Sequence, residues 1–186
     1  MTLQLTRRRF TVTQYGQMAE TGILTEGDRV ELIDGEILEM TPIGRRHAAA
    51  VKRLNRVLSR MVGDGAQIGI QDPVRLDENT ELQPDVTLLV ERADFYASGH
   101  PTPLDVLLLI EVSDSTLQLD REIKVPLYAR TDIREVWLVD LTDDAIVVCR
   151  EPSLDGYHTV RTARRGEWLS PLAFPGREIA VSDILG

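Results

Sequence analysis

Two segments, VLLLIEV (106–112) and EVWLVDL (135–141), do most to limit what this chain can fold into. Each is apolar without alternation, the pattern of a strand covered on both faces in a mixed or parallel sheet, so layers are needed above and below it. Gln67 to Gln71 and Pro84 to Val90 read as further strands, with ERADFYASGHPTP as a loop. His47, Val51, Leu54, Leu58 and Met61 recur at intervals of three and four and place a helix over Arg45 to Val62, ended by Gly63 to Gly65. A second helix is expected from Leu119 to Arg130. The order helix, three strands, helix, strand over residues 45–140 is an α/β core: a sheet flanked by helices.

Additions are expected at both ends. Thr11 with Gln14 forms a capping box for a helix from Val12 to Glu20, stapled by Phe10 and Tyr15. RVELIDGEILEM reads as a hairpin turning on Asp34-Gly35. Its register sets Glu31 opposite Leu38, with Arg29, Ile33 and Met40 on the same face, and predicts a half-buried Glu31. AIVVCRE, GYHTVRTA and EWL read as a C-terminal antiparallel meander. With no repeats or linkers, residues 1–186 are expected to form a single domain.

Charge and composition exclude several classes. The longest apolar run, Val106 to Ile110, is too short to span a bilayer, so no membrane association is expected. The opening ten residues lack the apolar stretch of a secretion signal, which predicts a cytoplasmic location. One cysteine, Cys149, excludes an internal disulfide and a cysteine-rich zinc cage, and reads as a core position. A net charge of −9 argues against a protein that coats nucleic acid, but it is uneven: residues 1–60 carry +3 and residues 61–186 carry −12. Arg46, Lys52, Arg53, Arg56 and Arg60 form a basic helix face, read as solvated, with a phosphate-facing role as the alternative. Of 21 basic residues only Lys52 and Lys124 are lysine, so each invites the question of why arginine does not serve.

The chemistry-bearing positions are Asp85, at the head of an apolar strand, Glu111, near the end of another, and Lys124 on the helix that follows. Two converging carboxylates repel unless a cation intervenes, and hard oxygen donors favour magnesium or manganese. A nearby ammonium then suits phosphodiester hydrolysis, because it offsets the charge that builds on the phosphate. The same acids equally suit loop capping or arginine pairing. His47 reads as a phosphate contact at a helix N-terminus or as a core or capping residue. His100 and His158 read as surface residues, Tyr128 as packing on the sheet and orienting Lys124, and Lys124→Ala is expected to cost no more stability than Lys124→Arg.

Pro84-Asp85, Glu111-Val112-Ser113 and Lys124 resemble a PD-(D/E)XK nuclease site whose lysine has moved to the following helix, with Ser113 in the vacated place. ELIDGEI (31–37), Pro42 to His47, QPDV (83–86), EVSDST (111–116), DREIKVPLYA (120–129) and EVWLVDL (135–141) are similar, in order and spacing, to the bacterial Uma-two restriction endonuclease family. The resemblance implies a restriction-endonuclease-like fold, Asp85, Glu111 and the Val112 carbonyl as metal ligands for Mg2+ or Mn2+, Lys124 as the catalytic lysine, and Glu31 as an acid completing the site. Asp114 stands where the family commonly has proline, adding a third negative charge near the metal, and Val136-Trp137 stands for a Tyr-Trp pair. The expected function is a metal-dependent DNA endonuclease acting as a homodimer, since cutting both strands of a duplex calls for two sites. The alternative is a catalytically silent nucleic-acid or protein-binding module on the same fold.

Overall fold

The computed structural model describes residues 7–25 and 27–186; residues 1–6, part of the stretch read for a secretion signal, lie outside it. The two non-alternating runs are central, adjacent strands. β7 (Val106–Ser113) and β8 (Glu135–Asp140) run parallel, with Ile110 opposite Trp137 and Glu111 opposite Leu138. All of β8 and all of β7 except Leu107 are buried, as their composition requires. The other pairings are antiparallel: β6 (Val86–Leu89) on β7, β3 (Gln67–Ile70) on β6, β9 (Ala145–Ser153) on β8, and β10 (Gly156–Arg164) on β9. The mixed six-stranded sheet has β10 and β3 as its edges.

Apolar layers cover both faces. On one, α2 (Arg45–Val62) lays Ala50, Val51, Leu54, Leu58 and Val62 against Leu108, Ile110, Val112 and Trp137. On the other, Leu109, Val136 and Cys149 meet Leu127 and Tyr128 of α4 (Val125–Arg130). Cys149 is therefore a core residue, as its sequence setting indicates. Among the described residues no helix is long and apolar enough to cross a membrane.

The N-terminal elements keep their expected bounds. α1 (Val12–Glu20) carries the full capping box, with Gln14 N–H to Thr11 Oγ1 and Thr11 N–H to Gln14 Oε1 both 3.2 Å. β1 (Val30–Ile33) and β2 (Glu36–Glu39) turn on Asp34 and Gly35, both at positive φ, in the expected register with Glu31 opposite Leu38. Gly35 is required twice over: its φ is 79°, and a Cβ there would lie 2.6 Å from the Arg9 Cβ. The hairpin joins β5 (Glu81–Leu82) and β4 (Val74–Arg75) in a second sheet, order β2-β1-β5-β4. That sheet packs Ile33, Val74 and Leu82 into the second apolar layer, so Glu31 is buried rather than half-buried.

Two expectations need correction. The segment expected as one ordinary helix is helical throughout but is made of α3 (Leu117–Leu119), a π turn over Asp120–Lys124, and α4. Val125 N–H bonds to the Asp120 carbonyl, five residues back, and the following Pro126 has no N–H to restore the ordinary ladder. The extra residue in the turn rotates Ile123 out to 44% exposure and brings Asp120 and Lys124 inward. The meander also stops at β10. The Glu167 carboxylate accepts the Arg164 N–H, Gly166 turns the chain at φ 91°, and β11 (Trp168–Leu169) pairs instead with β12 (Ile179–Ala180). Leu169, Ile179 and α5 (Val181–Leu185) bury their apolar groups in the α2 layer, which the outer edge of β10 does not offer. Arg53, from the basic face of α2, caps α5 by donating to the carbonyls of Ile184 and Leu185 at 2.8 Å.

Candidate functional site

The β1–β2 hairpin, the loop before α2, the heads of β6 and of α3, and the end of β7 enclose a cleft of about 130 Å³. It is lined by the candidate site residues Glu31, His47, Asp85, Glu111, Val112 and Lys124. Exposure is only 4% for Glu31, 7% for Asp85, 2% for Glu111 and 5% for Lys124. Ionisable groups are rarely this buried without partners, so their contacts define the site.

Asp85 is held by three donors. Its Oδ2 accepts the Val112 backbone N–H at 2.8 Å and faces His47 Nε2 at 3.0 Å, and its Oδ1 accepts Gln71 Nε2 at 3.1 Å. A carboxylate has about four acceptor positions, so one remains for a further partner. Asp85 thus reaches across from the head of β6 to the backbone of β7 one residue beyond Glu111, and both acids open on the same cleft. Glu111 Oε1 accepts the Tyr128 hydroxyl at 2.5 Å and lies 3.5 Å from Lys124 Nζ. Lys124 Nζ is 3.0 Å from both oxygens of Glu31, and Glu31 Oε1 also accepts the Gln83 N–H at 2.8 Å.

The electrostatics are those of crowded acid. Burial pushes the Glu111 carboxyl up to about 8, and Asp120, Asp85 and Glu31 add to the shift while Lys124 opposes it. Burial alone would lower the Lys124 pKa, but Glu111, Glu31 and Asp120 outweigh it and hold the ammonium charged. The hydrogen bond to Asp85 raises the His47 imidazole against the opposing effect of burial.

Several roles differ from expectation. His47, at the start of α2, serves Asp85 through Nε2 and lines the cleft, while its Nδ1 is buried with no partner among the described residues. Asp114 lines the cleft as a further carboxylate and is paired with Arg46 at 3.2 Å. Tyr128 orients the glutamate rather than the lysine. Lys124 is a buried member of an ion-pair network, so Lys124→Ala, which leaves Glu31 without its partner, costs more stability than the charge-keeping Lys124→Arg, the reverse of the expectation.

Asp120 and Gln71 are the functional partners that sequence reasoning passed over, and Tyr128 the one it gave to the lysine instead of Glu111. Asp120 accepts the hydroxyls of Ser113 at 2.7 Å and Thr116 at 2.6 Å, tying the head of the broken helix to β7. Its signal was a charged residue inside an apolar helical stripe, and that of Tyr128 was its spacing of four from Lys124. Gln71 had no signal: its side chain reaches the cleft because the chain turns there at φ 56°.

The donor set suits a hard cation. Among the described residues no three His, Cys, Asp or Glu side chains group to hold a metal ion. Two carboxylates and the Val112 carbonyl nonetheless fit magnesium, which keeps several waters and is commonly held by one or two carboxylates. The same set is wrong for zinc. An added positive charge would also oppose the burial and the neighbouring acids that hold Glu111 back from ionising.

The chain matches the profile of the Uma2 family, described as "Putative restriction endonuclease", over residues 12–182. Its fold is similar to that of a crystal structure from Anabaena variabilis ATCC 29413 described as a "putative nuclease belonging to DUF820". The TM-score is 0.69 at 15% identity, over 89% of this chain and 95% of that one. No curated protein matches.

Proposed function

The chain belongs to the Uma2 family and has the restriction-endonuclease-like fold, and from that premise we propose that it is a metal-dependent DNA endonuclease working in the cleft beside β7. The observation that carries this reading is the meeting of Glu31, Asp85, Glu111 and Lys124, far apart in sequence, on one buried cleft with more carboxylate than cation. Asp85, Glu111 and the Val112 carbonyl would hold magnesium or manganese, which supplies charge against the phosphate oxygens and acidifies the attacking water. Lys124 keeps its proton because three carboxylates surround it, and it presents a compact charge to the scissile phosphate. Glu31 fixes the ammonium from the hairpin side, and Tyr128 fixes Glu111 from α4. Hydrolysis of both strands of a duplex would engage two copies of the site, hence a homodimer.

The test is cleavage of supercoiled plasmid and of single-stranded DNA by the purified protein, with magnesium, manganese or EDTA. The proposal expects cleavage that needs the divalent ion. A folded protein that binds DNA but cuts neither substrate with either ion would instead be a binding module on the nuclease fold.

A further inference from the structure

β6 and β7 are antiparallel neighbours, a pair that a two-residue turn can join, yet residues 90–105 intervene. The connection is firmly built. Asp94 accepts from Arg92 Nε at 3.0 Å, Arg92 Nη2 at 2.8 Å and the Ser98 hydroxyl at 2.6 Å, and Tyr96 OH donates to the Val90 carbonyl at 2.7 Å. This tied loop holds two successive aromatic residues in the left-handed region, Phe95 at φ 51° and Tyr96 at φ 62°. Such strain persists only where the surroundings impose it, and it concentrates at ligand-binding positions. Here it leaves Phe95 79% exposed beside a cavity of about 300 Å³.

The cavity lies along the open edge of β3. Tyr96, its ring covered by the Arg92 guanidinium 4.5 Å from the centroid, contributes an aromatic wall beside Phe95. Asp72, His100 and Gln67 supply polar groups, and Gln67 Oε1 is a buried acceptor with no partner among the described residues. Gly69 makes room at the strand edge: a Cβ there would lie 2.5 Å from Thr87 Oγ1 and 3.3 Å from Asp72 Oδ2. The cavity is continuous in chain with the cleft. Gln71 bonds to Asp85 inside the cleft, and Asp72, the next residue, lines the cavity.

We infer that this cavity is a subsite for one unstacked nucleobase of a single-stranded segment, stacked on Phe95, with the N–H groups of the base turned to the acceptors Asp72 and Gln67. Aromatic faces recognise bases of single strands, whereas a base paired and stacked in a duplex has neither its face nor its pairing edge free. The inference rests on the nuclease reading of the cleft and adds a substrate class to it: nucleic acid that contains a single-stranded segment.

Fluorescence anisotropy tests it, with a fluorescein-labelled single-stranded DNA of mixed sequence and the same sequence as a blunt duplex, both in EDTA so that nothing is cut. The wild type is expected to prefer the single strand. Phe95→Ala and Phe95→Gly should each weaken that binding about tenfold, the loss of one base–aromatic stack. Phe95→Gly separates function from folding, because it relieves the left-handed strain and so should melt no lower than the wild type while binding worse. Wild-type affinity in folded Phe95→Gly, equal affinity of the wild type for both DNAs, or no measurable binding would each overturn the subsite. Phe95-dependent binding by a protein that cuts nothing with magnesium would keep the subsite and remove the nuclease reading. Magnesium-dependent cutting together with Phe95-independent binding would do the reverse.

Discussion

Replacing Lys124 by methionine removes the ammonium that faces two buried carboxylates while roughly keeping the volume of the stem. At 3.0 Å the attraction between Lys124 and Glu31 is about 5.5 kcal/mol at an effective dielectric constant of ~20. Glu111, farther away at 3.5 Å, adds less. The desolvation of both partners offsets much of the attraction, but breaking a buried pair by removing one partner leaves Glu31 buried without it, which costs about 3–5 kcal/mol. For a chain of 186 residues that is a fall in Tm of roughly 6–20 °C. Urea unfolding in EDTA at pH 7 measures it, with Glu31→Gln and the double variant completing a cycle. The double variant, which has no unpaired charge, should recover more than half of the loss. Equal midpoints for Lys124→Met and wild type, or strictly additive losses in the double variant, would refute the buried-pair reasoning.

Tyr128→Phe takes a 2.5 Å donor from the buried Glu111 and should cost about 1.5–3 kcal/mol in urea unfolding, with weaker Mn2+ binding by calorimetry; an unchanged affinity would show that the hydroxyl does not position the acid. Gly35→Ala forces a side chain to φ 79° against Arg9 and Phe10 and should lower stability by more than ~1 kcal/mol, read as a shift in the thermal midpoint; a neutral result would mean that the N-terminal segment yields. Burial pushes the Cys149 thiol up to about 11, so iodoacetamide at pH 8 should label it slowly in the native protein and quickly in urea; fast native labelling would contradict its place in the core.

The parts of this structure that follow from local rules were legible in the sequence. The Thr11 capping box and the Asp34-Gly35 turn specify their elements through bonds within a few residues, and VLLLIEV and EVWLVDL announce their burial by composition. The convergence of Asp85, Glu111 and Lys124 was legible because ionisable residues inside apolar segments stand out. What was lost depends on partners distant in the chain. β4 and β5 are two residues each, too short for any alternation, and exist because β1 offers an edge to pair with. The π turn at Asp120–Lys124 looks like ordinary helix in its residues, although Pro126 marks a missing donor next to it. The departure of β11 from the meander follows from the room α2 leaves for α5, which no local pattern records. The partners of His47 and Asp114 were not legible for the same reason: Asp85 and Arg46 lie 38 and 68 positions away.

The most direct test of phosphodiester hydrolysis in this cleft is the magnesium-dependent cleavage rate of folded Lys124→Arg beside that of the wild type. Arginine keeps a positive charge for Glu31, so folding and Mn2+ affinity should be retained, but its broad planar head cannot replace a compact ammonium beside the phosphate. The predicted result is a loss of about a hundred- to a thousand-fold in rate, the scale of one removed transition-state contact. Cleavage at the wild-type rate by the folded variant would contradict the account and leave Lys124 a purely structural partner of Glu31.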